Sequence, residues 1–186
     1  ACPGAVPPRH ADPYVLWHDP SQQWILISFE WPDNPHDFLF YRSGDLRHWT
    51  RTSVYQGQLR ECPALFELEI TGSGEPKWIL HSGNGEYLVG HFDGEAFHEE
   101  SGKQRMDWGT FYASQCWHGA PPGDDRVVHI AWMLGGSFPV DMPFNQQLTF
   151  PCALTLEPLP EGLRLCRRPV REIERLYERT LLARDH

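Results

Sequence analysis

The chain has 186 residues, of which 40% are hydrophobic and 13% aromatic, enough for a packed core without disulfide or metal support. The formal net charge of −9 excludes nucleic acid and anionic membrane surfaces as partners, because both require basic patches. The five cysteines include no CxxC pair and the ten histidines no HxxxH pair, so we predict no disulfide framework, no metal site and no cofactor.

No apolar run approaches the roughly 20 residues of a membrane helix, and no signal peptide is visible. The chain starts Ala-Cys-Pro-Gly without an initiator Met, so we expect the natural N-terminus to lie upstream. The sequence leaves the compartment undecided, and cytoplasmic and secreted are the two alternatives.

Short apolar and aromatic runs, separated by turn residues, follow one another along the chain and predict an all-β fold. A break falls at 32–36, where Pro and His interrupt the pattern. The predicted strands are 14–17, 24–29, 37–42, 64–70, 77–81, 87–92, 111–117, 126–133, 152–156 and 163–166.

Two stretches resemble each other. Phe38–Trp49 and Tyr87–Phe97 each contain an apolar strand, a turn with Gly and Asp, and a closing aromatic residue. Trp24 and Trp78 hold matching places about fifty residues apart. A repeat of that length with about four short strands is typical of a β-propeller blade. A β-sandwich with regular hairpins is the alternative, and the repeat favours the propeller.

The last residues differ in character, so we divide the chain into a partial propeller at 1–168 and a linker at 169–186. Ile173, Leu176, Tyr177 and Leu181 have helical spacing and predict an amphipathic docking helix that starts near Pro169. A frayed charged tail is the alternative.

Glu61 is the residue whose surroundings point most directly to chemistry. It lies between Arg60 and Cys62, just before Pro63 and the predicted strand 64–70. A carboxyl group held at the start of a strand can exchange protons with a ligand. Strand alternation predicts that Arg60 faces away from Glu61. We interpret Cys62 as a packing residue, and the alternative for the whole stretch is a surface Glu beside a buried Cys.

These residues carry a resemblance to glycoside hydrolase family 32, the invertase, levanase and inulinase family. Arg60-Glu61-Cys62-Pro63 resembles its ECP motif, and Asp12-Pro13 resembles its RDP motif. Asp107-Trp108-Gly109 and the following Phe111-Tyr112-Ala113-Ser114-Gln115 resemble its D(Y/F)G…FYA segment. Further matches at 130–133, 142–151 and 161–165 keep the family order.

The resemblance implies a five-bladed propeller, of which this chain supplies about blades two to five, with an active site in an axial funnel. It implies hydrolysis of β-D-fructofuranosyl bonds with retention, on a fructose-containing substrate such as sucrose, levan or inulin. Glu61 would be the general acid/base and Asp12 the transition-state stabiliser. Arg60 and Asp107 would contact the substrate.

One family element is absent, since no Asn-Asp-Pro-Asn string, the motif of the nucleophile, occurs in the chain. A retaining glycosidase needs two carboxyl groups about 5–5.5 Å apart, one of them attacking. We therefore expect an incomplete chain with little or no activity by itself, and the sequence leaves open whether a C-terminal β-sandwich domain follows the linker. The alternative is a non-catalytic carbohydrate-binding or self-associating remnant, whose open propeller edges would allow a homodimer.

Overall fold

The computed structural model describes residues 9–57, 59–119, 123–135, 141, 143–144 and 146–178, and they form an all-β structure. In chain order the strands are β1 (His10–His18), β2 (Gln23–Glu30), β3 (Asn34–Ser43), β4 (Thr50–Gln56), β5 (Ala64–Glu69), β6 (Pro76–His81), β7 (Glu86–Phe92), β8 (Phe97–Glu99), β9 (Gln104–Arg105), β10 (Phe111–Trp117), β11 (Val128–Met133), β12 (Gln147–Leu148), β13 (Cys152–Leu159) and β14 (Gly162–Pro169). Every strand predicted from the sequence has a counterpart among them.

The strands form three antiparallel sheets within the described residues. Sheet 1 is β1–β4, sheet 2 is β5–β8 with β9 paired to β7, and sheet 3 is β10, β11, β13 and β14 with β12 paired to β11. The sequence predicted about four blades, and three are present. The difference arises because all strands from Phe111 to Pro169 pair into one sheet.

The predicted repeat is present in sheets 1 and 2. Trp24 lies in β2 and Trp78 in β6, so each belongs to the second strand of its sheet. After the third strand of each sheet, an aspartate closes the turn. Asp45 accepts hydrogen bonds from two backbone N–H groups, and Asp93 does the same. Each aspartate thereby replaces the strand hydrogen bonds that the turn interrupts.

One apolar core joins the three sheets. In β2, Ile25, Ile27 and Phe29 point into it, as the period of two in a strand requires. Phe40 of sheet 1 stacks on Phe92 of sheet 2 with ring centroids 5.7 Å apart. Burial of each such side chain contributes about 1.5–3 kcal/mol, so these contacts hold the sheets face to face.

The first strand of each sheet runs in the same direction, as contacts at both ends show. At their starts, Cys62 contacts Asp12, and Tyr112 contacts Glu61. At their ends, the ring of His18 lies 5.6 Å from that of Trp78, which pairs with Glu67 of β5. The side chains that begin β1, β5 and β10 therefore meet at one end of the fold.

The C-terminal residues form a 3₁₀-helix over Arg171–Leu176 instead of the predicted amphipathic helix. None of its residues is buried, and Pro169 ends β14 rather than starting the helix. Arg126 holds the segment through hydrogen bonds to Glu172. Leu181 lies outside the described residues. In the part of the chain that is described, no helix has the length and apolarity to cross a membrane.

Candidate active site

Unusual backbone conformations mark the place where the first strands begin. Asp12 has φ 46° inside a bulge of β1, and Ala113 has φ 48° inside a bulge of β10. Just before β5, Glu61 and Cys62 have φ 55° and 45°. Such conformations cost a non-glycine residue about 1–3 kcal/mol and collect at functional sites. A bulge also re-aims the side chain that it carries.

Asp12 and Glu61 are brought together through Cys62. The thiol of Cys62 donates a hydrogen bond to Oδ2 of Asp12 over 3.2 Å, and Glu61 precedes Cys62 in the chain. Burial, followed by the bond to Asp12, raises the pKa of Cys62 to about 12. The thiol is therefore protonated near neutral pH and acts as a donor, which agrees with the interpretation that it is no nucleophile.

Glu61 is held by two donors. Nε of Arg60 donates to Oε1 over 3.1 Å, and the hydroxyl of Tyr112 donates to Oε2. Burial, together with the hydrogen bond to Glu61, raises the pKa of Tyr112 to about 12, so the phenol keeps its proton. Glu61 is 9% exposed. Its carboxyl group is thus oriented from both oxygens, as a proton-transfer group requires.

The predicted orientation of Arg60 is wrong. Strand alternation does not apply to it, because 59–63 precedes β5 and the backbone turns at Glu61 and Cys62. Arg60 consequently lies on the same side as Glu61. Tyr112 was not predicted as a site residue, although it belongs to the matched segment Phe111–Gln115, which was the signal available for finding it.

Asp107 belongs to a separate buried contact. Oδ1 accepts a hydrogen bond from the N–H of Gly109 over 2.8 Å, and Oδ2 accepts one from Arg167 of β14. Within the described residues no hydrogen bond joins Asp107 to Asp12 or Glu61. Its role in substrate binding stays a prediction.

Behind the site lies a buried histidine pair. The rings of His81 and His129 are both 0% exposed, with centroids 5.4 Å apart. Neither ring has a hydrogen-bond partner within the described chain, and Oγ of Ser114 has none either. Burial lowers the pKa of His81 well below its usual range. Burial and the charge of Arg167 lower the pKa of His129 to about 4, against an opposing effect of Asp107.

Backbone hydrogen bonds join the Glu61 segment to Gly83, two residues after His81, and Gly83 to Ser114. The N–H of Gly83 donates to the carbonyl of Glu61 over 3.1 Å, and the N–H of Ser114 donates to the carbonyl of Gly83 over 3.2 Å. The site therefore combines two carboxylates, a thiol, a guanidinium and a phenol on a rigid buried support. Among the described residues no three His, Cys, Asp or Glu side chains are placed to hold a metal ion.

Comparisons with known proteins point to one family. Residues 5–169 match the family model described as the glycosyl hydrolases family 32 N-terminal domain. The chain is 30% identical to the levanase of Bacillus subtilis, covering 88% of this chain and 27% of the relative. It is 31% identical to the extracellular exo-inulinase of Aspergillus niger, covering 85% and 34%.

Solved structures show the same likeness. The exo-inulinase of Aspergillus awamori superposes with a TM-score of 0.71 and 25% identity, covering 87% of this chain and 36% of that one. Fructan 1-exohydrolase IIa of Cichorium intybus superposes with a TM-score of 0.73 and 23% identity, covering 95% and 38%. The chain thus spans about a third of the length of these relatives.

Proposed function

The chain belongs to glycosyl hydrolase family 32, and from that premise we propose that it carries the acid/base half of a retaining β-fructosidase site. The substrate class is fructose-containing oligo- and polysaccharides, supported by relatives whose names are levanase and exo-inulinase. The single observation that carries the proposal is the hydrogen bond from the Cys62 thiol to Asp12, because it joins Asp12 to the Glu61 segment.

Each residue has a defined task in this proposal. Glu61 donates a proton to the leaving oxygen of the fructosidic bond and afterwards takes one from water, as the acid/base of a retaining enzyme does. Asp12 accepts hydrogen bonds from fructosyl hydroxyls. These bonds strengthen as positive charge develops on the sugar, so they stabilise the transition state. Arg60 and Tyr112 hold Glu61 in place, and Arg60 and Asp107 stay proposed substrate contacts.

Attack by a carboxylate is the step for which we assign no residue in the 186-residue chain. The proposal assigns no metal ion to any step. We therefore expect the chain alone to bind fructose or sucrose while releasing little or no fructose from sucrose, levan or inulin.

The test measures sugar binding by calorimetry and fructose release by a coupled assay. Asp12→Asn should weaken fructose binding by about fivefold, because it removes a charged acceptor worth about 1 kcal/mol. Glu69→Gln, at the other end of β5 and exposed, is the matched control and should leave binding within twofold. Fructose binding that Asp12→Asn leaves unchanged would contradict the proposed site.

The catalytic part has its own contrary outcome. If the wild-type chain releases fructose and Glu61→Gln abolishes this release, a nucleophile is present after all. Release that survives Glu61→Gln would place the chemistry elsewhere.

Self-association remains a second prediction. Phe144, Leu148 and Phe150 in and near sheet 3 are each more than half exposed, which favours association of apolar surfaces. Gel filtration tests it, and elution at the monomer volume at all concentrations would reject the homodimer.

A further inference from the structure

A second cleft opens at the opposite end of the first strands. It has a volume of about 770 Å³ and is lined by the end of β1 at His18, by Glu67 of β5, and by Trp78 of β6. Asp12 lies six residues before His18 in β1, which corresponds to about 20 Å at about 3.3 Å per residue. The cleft is therefore separate from the Asp12–Glu61 site, and an inference about it does not depend on the fructosidase proposal.

The charged groups of this cleft are acidic. Asp19, Glu67, Asp93 and Asp125 line it, and among the described residues no lysine or arginine does. Burial, and then repulsion from Glu69, raises the pKa of Glu67, with an opposing effect of His91. In the described part of the chain, Glu67 and Asp125 take part in no ion pair. Their negative charge is thus left without compensation by the protein.

The two cations that adjoin cleft residues in the sequence are occupied by other acids. Lys77, which precedes Trp78, pairs with Glu100 over 2.8 Å and with a second glutamate at 3.0 Å. Arg126, which follows Asp125, pairs with Asp124 over 2.5 Å and with Glu172 over 2.8 Å. Both cations are therefore engaged elsewhere and leave the cleft carboxylates open to a cationic ligand.

Aromatic rings form the apolar part of the wall. Trp78 has its ring 5.4 Å from that of Phe92 and 5.6 Å from that of His18, so it is held in place. Trp17 is 38% exposed, and its Nε1 donates to Oδ1 of Asp19 over 2.8 Å. Ring faces carry negative electrostatic potential and attract a cation that has lost part of its hydration.

His18 adds a buried acceptor. It is 3% exposed, and its Nδ1 lies 2.7 Å from Oγ of Ser21. The Ser21 hydroxyl donates to the carbonyl of His18 at 3.5 Å, so Oγ is left to accept the Nδ1 hydrogen. Burial lowers the pKa of His18 and keeps the ring neutral. Nε2, which has no protein partner among the described residues, is then an unpaired acceptor on a residue that lines the cleft.

The lining thus offers carboxylates, an unpaired imidazole nitrogen and aromatic faces. The carboxylates favour a cation over a neutral ligand, and a metal ion needs three close ligands, which the described residues do not supply. We propose that this cleft binds an organic ammonium ion with an apolar chain, such as an alkyl diamine. The ammonium group contacts Glu67 and His18, and the alkyl chain lies on Trp78.

The experiment compares 1,6-diaminohexane with 1,6-hexanediol, its uncharged analogue, at pH 7.5 by calorimetry and tryptophan fluorescence. The diamine should bind and the diol should not. Raising the salt concentration should weaken diamine binding, because an exposed ion pair is screened. Binding of both compounds with similar affinity would overturn the proposal, since it would leave an apolar cleft without selectivity for charge.

Two variants localise the binding. Glu67→Gln should weaken the diamine about fivefold, equivalent to about 1 kcal/mol for one partly exposed ion pair. Glu161→Gln removes the same charge from an exposed position in the turn between β13 and β14 that does not line the cleft, and it should change binding by less than twofold. Equal effects of the two variants would show unspecific attraction by net charge. The proposal would also be refuted if neither variant weakened diamine binding, or if the wild-type chain did not bind the diamine.

Discussion

The buried histidine pair makes the protein sensitive to mild acid. The perturbation is a fall in pH from 7.5 to 4.5. The ordinary pKa of a histidine is 6.5, and burial lowers that of His129 to about 4 in the folded state. Between these values the unfolded chain binds a proton that the folded chain does not. The stability that the neutral His129 ring contributes is therefore fully present above pH 6.5 and is lost as the pH falls towards 4.

The magnitude follows from the two pKa values. At about 1.4 kcal/mol per pH unit, the full loss attributable to His129 is about 3 kcal/mol, of which about 2.5 kcal/mol is reached at pH 4.5. His81 adds to it in the same direction, since its pKa is also lowered by burial. Asp93 interferes little, because its ordinary pKa of 3.8 is lowered to about 2 and its contribution is lost mainly below about pH 4. Glu172, whose ordinary pKa of 4.5 is lowered to about 2, starts to lose its contribution near about pH 5, but it does so equally in the wild type and in a variant of His129.

The assay is urea unfolding followed by tryptophan fluorescence at pH 7.5, 5.5 and 4.5. His129→Phe replaces the imidazole with a ring of similar size, next to Phe111, whose ring centroid lies 4.9 Å away. The variant should lose about 2.5 kcal/mol less stability than the wild type between pH 7.5 and 4.5. Phe111→Leu, which changes the neighbouring ring and keeps the imidazole of His129, is the control and should keep the wild-type pH dependence. An unchanged pH dependence in His129→Phe would refute the reasoning.

Three further substitutions test the packing. Gly90→Ala places Cβ 2.1 Å from the carbonyl oxygen of His98, so β8 must move, and urea unfolding should show a loss of about 3 kcal/mol; wild-type stability would contradict the β7–β8 register. Gly83→Ala places Cβ 2.8 Å from Cβ of Cys62, so we expect the free energy of unfolding to fall by about 1–3 kcal/mol and fructose binding to weaken. Unaltered fructose binding would mean that Cys62 does not position Asp12. Tyr87→Phe leaves the buried N–H of Leu165, now 2.9 Å from the Tyr87 hydroxyl, without its acceptor, which should cost about 1–3 kcal/mol and speed hydrogen exchange at that amide; unchanged exchange would speak against the contact between sheets 2 and 3.

Local patterns were sufficient for ten of the fourteen strands, whereas β4, β8, β9 and β12 were not predicted. Alternating apolar residues and Gly/Asp turns depend on neighbours a few residues away, so β2 and β7 were predicted to within one residue of their ends. β3 instead begins at Asn34, inside the predicted break at 32–36. Asp12 and Glu61 were predicted as site residues because short motifs resemble those of one family and keep the family order. The roles assigned to them remain proposals, whereas the closeness of Asp12 to the Glu61 segment is observed.

What the sequence by itself determined is the all-β class, the repeating blade and the family, because these depend on periodicity and on contiguous strings. Only the tertiary structure decided that the last strands form one sheet rather than two, and that Arg60 turns towards Glu61. It alone paired Asp107 with Arg167 and His81 with His129. The physical reason is that pairing between distant strands and positive φ angles depend on the packing of the whole chain, which no local pattern contains.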